Sequence, residues 1–358
     1  MPRGVRYPAP VVGNGELAEA LFTLAESHPP GELRLALLRA AYAVFDAPRE
    51  LATARRLPDA VPLEALPTVA MLRGAWSQDA LEAAVQRLRG PHHSRGAPAR
   101  KGYLTAAEAA ELAGPAAPLN PRHLRGACHF HTRSSDGVAS LEVMARAACR
   151  RGASWAVVTD HTRGLACVNG LDAEGVALQR RAVAAWNRRH GDELWLVQGL
   201  EAEIREDGTL DVPRHARDGV LLVAAVHTQL ADRRDQTGRL LRALQEPGVW
   251  ALAHPQGRLF GRRLGLRANW ELVFREAAAR GVLLEINGFP RRQDLAPPLL
   301  ALALAMGCRF VLASDAHHPR HLGFDATAVA MAVAAGVPAA SIVNFAPLEK
   351  ALGDRLVG

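Results

Sequence analysis

Apolar residues recur at three- and four-residue intervals in three early segments, ELAEALFTLAES (16–27), ELRLALLRAAYAVF (32–45) and DALEAAVQRLRG (79–90). Charges fill the other face, so each segment predicts an amphipathic helix. GPHHSRGAPARKG follows, then the short helix-forming TAAEAAELA, then the proline-bearing GPAAPLNPRHL. That punctuation predicts a linker. The sequence thus reads as a small helical domain over 1–90, a linker over 91–119 and a second domain over 120–358.

Past Asn120 the pattern changes to short apolar runs separated by longer, mostly helical stretches. The runs are GACHFH (126–131), WAVVTDH (155–161), LWLVQGLEAEI (194–204), GVLLVAAVH (219–227), VWALAH (249–254), VLLEIN (282–287) and FVLASDAH (310–317). Strands alternating with crossover helices predict a parallel sheet, and seven of them predict a β/α barrel of α/β class.

Six of the seven runs carry a metal-ligand residue type at or just past the C-terminal end, where β/α barrels build their active sites. His129 and His131 are two apart, so a strand points both to one face, and Asp136 follows in the loop. Asp315 and His317 repeat the device, and His161, Glu201, His227 and His254 close the strands between. Taken alone, a histidine at a strand end is more often a hydrogen-bonded core or loop residue than a ligand. Recurrence on successive strands favours ligation. Six imidazoles and three carboxylates exceed the needs of one tetrahedral zinc and predict two or three cations sharing a bridging carboxylate. Asp160 alternates away from His161 and is expected to support a ligand or cap the strand end. Glu203 shares a face with Glu201, as an outer group or a structural one. His318 and His321 read as loop residues, and His92, His93, His190 and His215 as surface ones.

Composition narrows this picture modestly. The chain has 358 residues, 49% of them hydrophobic, enough for one large and one smaller core. No run is long and apolar enough to span a membrane, and MPRGVRYPAP lacks the apolar core of a signal peptide, so a cytoplasmic location is expected. Four scattered cysteines give neither a disulfide framework nor a thiolate zinc site. The formal charge of +7 would suit an acidic partner such as nucleic acid. Nearly all of it is arginine in an alanine-rich chain with two lysines, Lys101 and Lys350, a bias that GC-rich coding also produces.

The motifs HFHTRSSDG, VVTDHT, GLEAEI, AVHT, LAHPQGR, LEINGFPRRQDL and ASDAHHPRHL occur in that order. Together they resemble the successive motifs of the polymerase and histidinol phosphatase (PHP) superfamily over residues 120–352. NGLD, DGTLD and HPQGR with NGFPRRQDL resemble in particular the C-terminal PHP domain of bacterial family-X DNA polymerases. The resemblance implies a distorted seven-stranded, TIM-like PHP barrel, usually with three metals: manganese, zinc or iron. It places the family's nine ligands on His129, His131, Asp136, His161, Glu201, His227, His254, Asp315 and His317. Two departures qualify it. The 120 residues before the barrel cannot hold a nucleotidyl-transfer domain, so no polymerase activity is expected. Where the polymerases' helical DNA-binding domain has a glycine-bearing hairpin, this chain reads LPTVA (66–70), without either glycine.

The chemistry expected is phosphoester hydrolysis by metal-activated hydroxide, with Glu201 bridging cations and His131 and Asp136 beside it. Arg258, Arg291 and Arg292 are candidates to hold substrate phosphate, Arg258 foremost. Arg262, Arg263 and Arg267 would line a nucleic-acid groove or form a charged face. DNA is the expected substrate, through 3′-5′ exonuclease or 3′-phosphatase action in DNA repair. A small-molecule phosphatase of the histidinol-phosphate kind and a non-catalytic scaffold are the alternatives.

Overall fold

A computed structural model describes residues 13–47, 102–165, 168–230, 232–260 and 262–353. The helix expected over 79–90, the 66–70 segment, residues 91–101 of the linker and Cys167 lie outside the described residues. The chain divides into two compact units, one built from Ala113–Leu259 and Arg263–Gly358, the other from Arg6–Leu112 and Phe260–Arg262.

The smaller unit pairs α1 (Asn14–Ser27) with α2 (Glu32–Phe45) and adds α3 (Ala106–Leu112). Leu17, Leu21, Phe22, Leu37, Ala41 and Phe45, spaced as the amphipathic reading requires, bury one shared face. The rings of Phe22, Phe45 and Tyr103 close on Phe260, with centroids 4.7, 4.5 and 5.0 Å away. The Glu16 carboxylate accepts the Gly13 N–H at 2.9 Å. Thr105 and Glu108 cap α3 reciprocally at 2.8 and 3.2 Å, satisfying donors that have no partner within the helix.

The larger unit is a closed barrel of seven parallel strands in sequence order, as the seven runs predict. They are β1 (Gly126–Phe130), β2 (Trp155–His161), β3 (Trp195–Glu203), β4 (Leu221–Ala225), β5 (Val249–Leu252), β6 (Leu283–Asn287) and β7 (Phe310–Ala316). Such strands are covered on both faces, which is why they read as continuous apolar runs. The helices between them are α4 (Leu141–Arg150), α5 (Ala173–His190), α6 (Thr237–Leu244), α7 (Trp270–Arg280) and α8 (Pro297–Ala305); α9 (Asp325–Ala334) follows β7, and α10 (Leu348–Leu352) ends the described chain. Asp172 and Asn269 cap α5 and α7 by accepting the N–H of Gly175 and Leu272. Gly281 ends α7 in the left-handed conformation, φ 63°, that only glycine adopts without strain.

β1 closes the barrel against β7, pairing Cys128 with Ala313 and Phe130 with Ala316. The register shifts between those two pairs, so His129 stands out of the ladder on both sides of β1. No described helix is long and apolar enough to cross a membrane.

Candidate metal centre

The barrel brings all nine predicted residues together at the C-terminal ends of its strands. Glu201, 1% exposed, stands at the centre. Its Oε2 lies 3.2 Å from His129 Nε2, 3.4 Å from His131 Nε2 and 3.1 Å from His161 Nδ1. Its Oε1 lies 3.1 Å from His227 Nε2 and 2.8 Å from His254 Nε2. Asp315 Oδ1 approaches His131 Nε2 at 3.4 Å. Asp136, carried on the β1 loop, reaches His317 Nε2 at 3.1 Å and His161 Nε2 at 3.5 Å.

Three sets of donor atoms converge closely enough to hold one ion each: His131, Asp136, His161 and His317; His129, His131 and Glu201; and His161, Glu201 and His227. Overlap at His131, His161 and Glu201 is what a shared, bridged centre needs. Buried polar atoms are nearly always paired, yet His129 Nε2, both ring nitrogens of His131 and Glu201 Oε2 have no hydrogen-bond partner. Lone pairs left facing one another in a buried space fit cation binding, and imidazole with carboxylate suits zinc, iron or manganese.

The electrostatics match. Burial alone would raise the Glu201 carboxyl, but His161, His129 and His227 outweigh it and hold the group well below the usual carboxylate range. Burial also opposes charge on His227, and Glu201 with Glu203 overcomes it, lifting the imidazole to about 9. His131, with burial against it and His161 and His317 adding to the effect, falls to about 4 and stays neutral, the form that ligates.

Five described residues other than glycine have positive φ, and three of them belong to the cluster: His129 at 57°, His254 at 26° and Asp315 at 51°. Each costs about 1–2 kcal/mol relative to an ordinary conformation, so the surroundings must hold it there.

Supporting groups explain how the ligands are aimed. Glu203 accepts from His227 Nδ1 at 2.7 Å and from Thr228 Oγ1 at 2.9 Å. Behind it stands Arg239, buried on α6, 3.6 Å from Glu203 and bonded to the carbonyls of Ile204, Arg205 and Thr228. Asp160 touches no ligand. It accepts Thr132 N–H at 2.7 Å, Ser135 Oγ at 2.8 Å and Gln179 Nε2 at 2.9 Å, shaping the loop that presents Asp136. His318 Nδ1 accepts the Arg320 N–H and His321 stacks on Phe324 at 4.9 Å, so both organise the β7 loop. Glu285 and Asn287, neither singled out in the sequence, lie buried beside His129 and Asp315.

The arginines separate. Arg292 Nε lies 2.9 Å from Asp315 Oδ2, and its buried Nη1 has no hydrogen-bond partner. Arg258 is buried against Asp294, whose carboxylate accepts the Arg258 backbone N–H at 3.2 Å. Arg291 is half-buried, Arg263 bonds the Gly257 carbonyl at 2.7 Å, and Arg262 and Arg267 are exposed.

No family model matches the chain. A curated relative, "DNA polymerase/3′-5′ exonuclease PolX" of Bacillus subtilis, is 31% identical over 232 residues, 63% of this chain. The ordered strand-end motifs and the barrel that unites them agree with that relationship. The chain is similar to the PHP superfamily in the order of these motifs and in its barrel. The chain spans 40% of the relative's length. Among solved structures, a histidinol phosphate phosphatase of Lactococcus lactis complexed with zinc, L-histidinol and phosphate overlaps at TM-score 0.42 and 13% identity, covering 57% of this chain and 92% of its own. A putative histidinol phosphatase of Listeria monocytogenes overlaps at 0.44 and 12%, covering 55% and 97%. Overlaps this loose carry no argument about substrate.

Proposed function

We propose that this chain is a divalent-metal-dependent hydrolase of phosphoester bonds, acting on DNA as a 3′-5′ exonuclease or 3′-phosphatase. One observation carries the reading: six imidazoles and two other carboxylates converge around a buried Glu201 whose two oxygens face different histidines. Ions held there supply a strong nucleophile from water near neutral pH and neutralise charge developing on a phosphoryl group. Glu201 offers one oxygen towards His129, His131 and His161 and the other towards His227 and His254, the disposition of a bridging carboxylate. Asp136 and His317 form the more open side, each with more than a quarter of its side chain exposed, 27% and 28%, so phosphate enters there. Arg292 brings a guanidinium against the Asp315 carboxylate, and its free Nη1 is placed to hold a phosphoryl oxygen.

DNA as substrate draws on the likeness to the PolX protein. The test is purified protein reconstituted with Mn²⁺ or Zn²⁺ and assayed side by side on 3′-phosphorylated oligonucleotides, single-stranded DNA and histidinol phosphate. Metal-dependent turnover of either DNA substrate is expected. Turnover of histidinol phosphate alone replaces the DNA reading, and no turnover of any phosphoester in metal-loaded protein overturns the hydrolase itself.

A further inference from the structure

β6 is the one strand of the barrel whose C-terminal end offers none of the nine converging groups, yet it carries a carboxylate in the middle of an apolar run, Leu283–Asn287. Glu285 is 1% exposed. A buried carboxylate is costly unless it is satisfied, so its partners reveal its task. Glu285 Oε2 meets His129 Nδ1 at 2.6 Å. Oε1 accepts the backbone N–H of His254 at 3.1 Å and the Asn287 side-chain amide at 2.7 Å. That amide also lies 3.4 Å from Asp315 Oδ2. The three residues reached are His129, His254 and Asp315, the same three of the cluster whose backbones hold positive φ.

We propose that Glu285, with Asn287, is the positioning hub of the metal centre, fixing His129, His254 and Asp315 in conformations they would not otherwise keep. Glu285 holds the Nδ1 face of His129, which leaves Nε2 turned towards Glu201 at 3.2 Å. A carboxylate behind a ligating imidazole sets its tautomer and orientation and strengthens it as a donor. Glu285 and Asn287 share one face of β6, as residues two apart must, while Ile286 and Leu284 turn the other way into apolar packing. The paired spacing on β6 thus serves support where the paired spacing on β1 and β7 serves ligation. The inference rests on reading the cluster as a metal centre.

Co²⁺ is the probe: metal-free full-length protein is titrated with it, following the visible absorption of the bound ion and the stoichiometry by elemental analysis. Wild type is expected to bind at least two ions. Glu285→Gln supplies an amide with one acceptor oxygen where two are needed. It is expected to shift the spectrum and to weaken the ion at His129 about 10- to 100-fold, the effect of losing such a supporting partner. Leu284→Ala, one residue along the strand, is expected to lower stability while leaving the spectrum alone, which separates positioning from loss of packing. Asn287→Ala carries the same test at the Asp315 end if Glu285→Gln does not fold. A wild-type spectrum and full stoichiometry in a folded Glu285→Gln or Asn287→Ala protein overturns the hub while the metal centre stands. No uptake of Co²⁺ by the wild type overturns both.

Discussion

On one flank of Glu201, His129 and His227 each have a buried carboxylate behind the ring, Glu285 at 2.6 Å and Glu203 at 2.7 Å. On the other, Asp136 stands on a loop and meets His317 at 3.1 Å, with no comparable carboxylate behind that ring, whose Nδ1 turns instead to the Asp315 carbonyl at 2.8 Å. The supporting carboxylates stand on strands, Glu203 on β3 and Glu285 on β6, whose register leaves a side chain little freedom. The open flank depends on a loop braced through Asp160. On the proposed function, the supported side would hold ions and the open side would admit substrate, a division of labour suited to a hydrolase that must exchange one while keeping the other.

The largest effect is expected where the flanks meet. Both ring nitrogens of His131 lack a hydrogen-bond partner, and they face Glu201, Asp315 and Asp136. His131→Ala is expected to lose bound metal and activity together. The fall in kcat/KM should be about 10³-fold or more, beyond the usual cost of removing one preorganised charge-stabilising group. Elemental analysis beside a phosphoester assay checks it, and a variant with its full metal load and normal turnover would remove His131 from the centre.

The arginines give the next two tests, in descending order. Arg292→Ala is expected to lower kcat/KM about 10²-fold, roughly 2.7 kcal/mol, because its Nη1 faces no protein acceptor and its Nε steadies Asp315. Wild-type turnover would return the phosphate to the metals alone. Arg258→Ala was the sharper expectation from sequence, since Arg258 follows His254 closely. Its burial against Asp294 changes the expected outcome. The Asp294 carboxyl, pushed up to about 6 by burial although Arg258 and Arg292 pull it down, loses a neighbouring charge. A stability loss of about 1–3 kcal/mol with a smaller change in kcat/KM is expected, read from chemical denaturation beside kinetics. A 10²-fold kinetic loss at unchanged stability would restore Arg258 as the foremost phosphate ligand.

The barrel was legible because parallel strands must be apolar on both faces and the helices between them amphipathic. Strand alternation led to the expectation that His129 with His131 and Asp315 with His317 share a face, and the structure brings them together by another route, with positive φ at His129 and Asp315 and with His131 and His317 just past the ends of β1 and β7. Glu285 was not legible as a supporting group. Its partner His129 lies 156 positions away, and no local pattern records a contact made only when the barrel closes. A signal was present: a carboxylate inside an apolar run, on the one strand that lacked a ligand. Arg239 hid differently. It reads as the polar side of amphipathic α6, and only the fold reveals that it is buried among carbonyls left over where β3 ends. The preference for Arg258 over Arg292 came from distance along the chain, which does not measure distance to Asp315.

The smallest effect separates the flanks by proton, in the metal-free protein. His227 is lifted to about 9 against its burial by Glu201 and Glu203, and His317 to about 9 against its burial by Asp136 and Asp315. Their ordinary value is near 6.5, so the folded protein keeps these protons where the unfolded chain has released them. The resulting stability is fully present below about pH 6.5 and is lost as pH rises through about 9. Melting temperature in chelator should therefore fall across that window. Stabilisation by added Zn²⁺ should rise across it, because a ligating imidazole must first give up its proton. Glu203→Gln removes one of the two carboxylates that hold the His227 proton, the smaller contributor beside Glu201, and leaves His317 untouched, so part of the metal-free slope should disappear. Asp136→Asn should remove part of the His317 contribution, Asp315 keeping the rest. A metal-free melting temperature that does not change between pH 6.5 and 9 would mean that neither flank stores a proton, and that the carboxylates behind His227 serve its orientation alone.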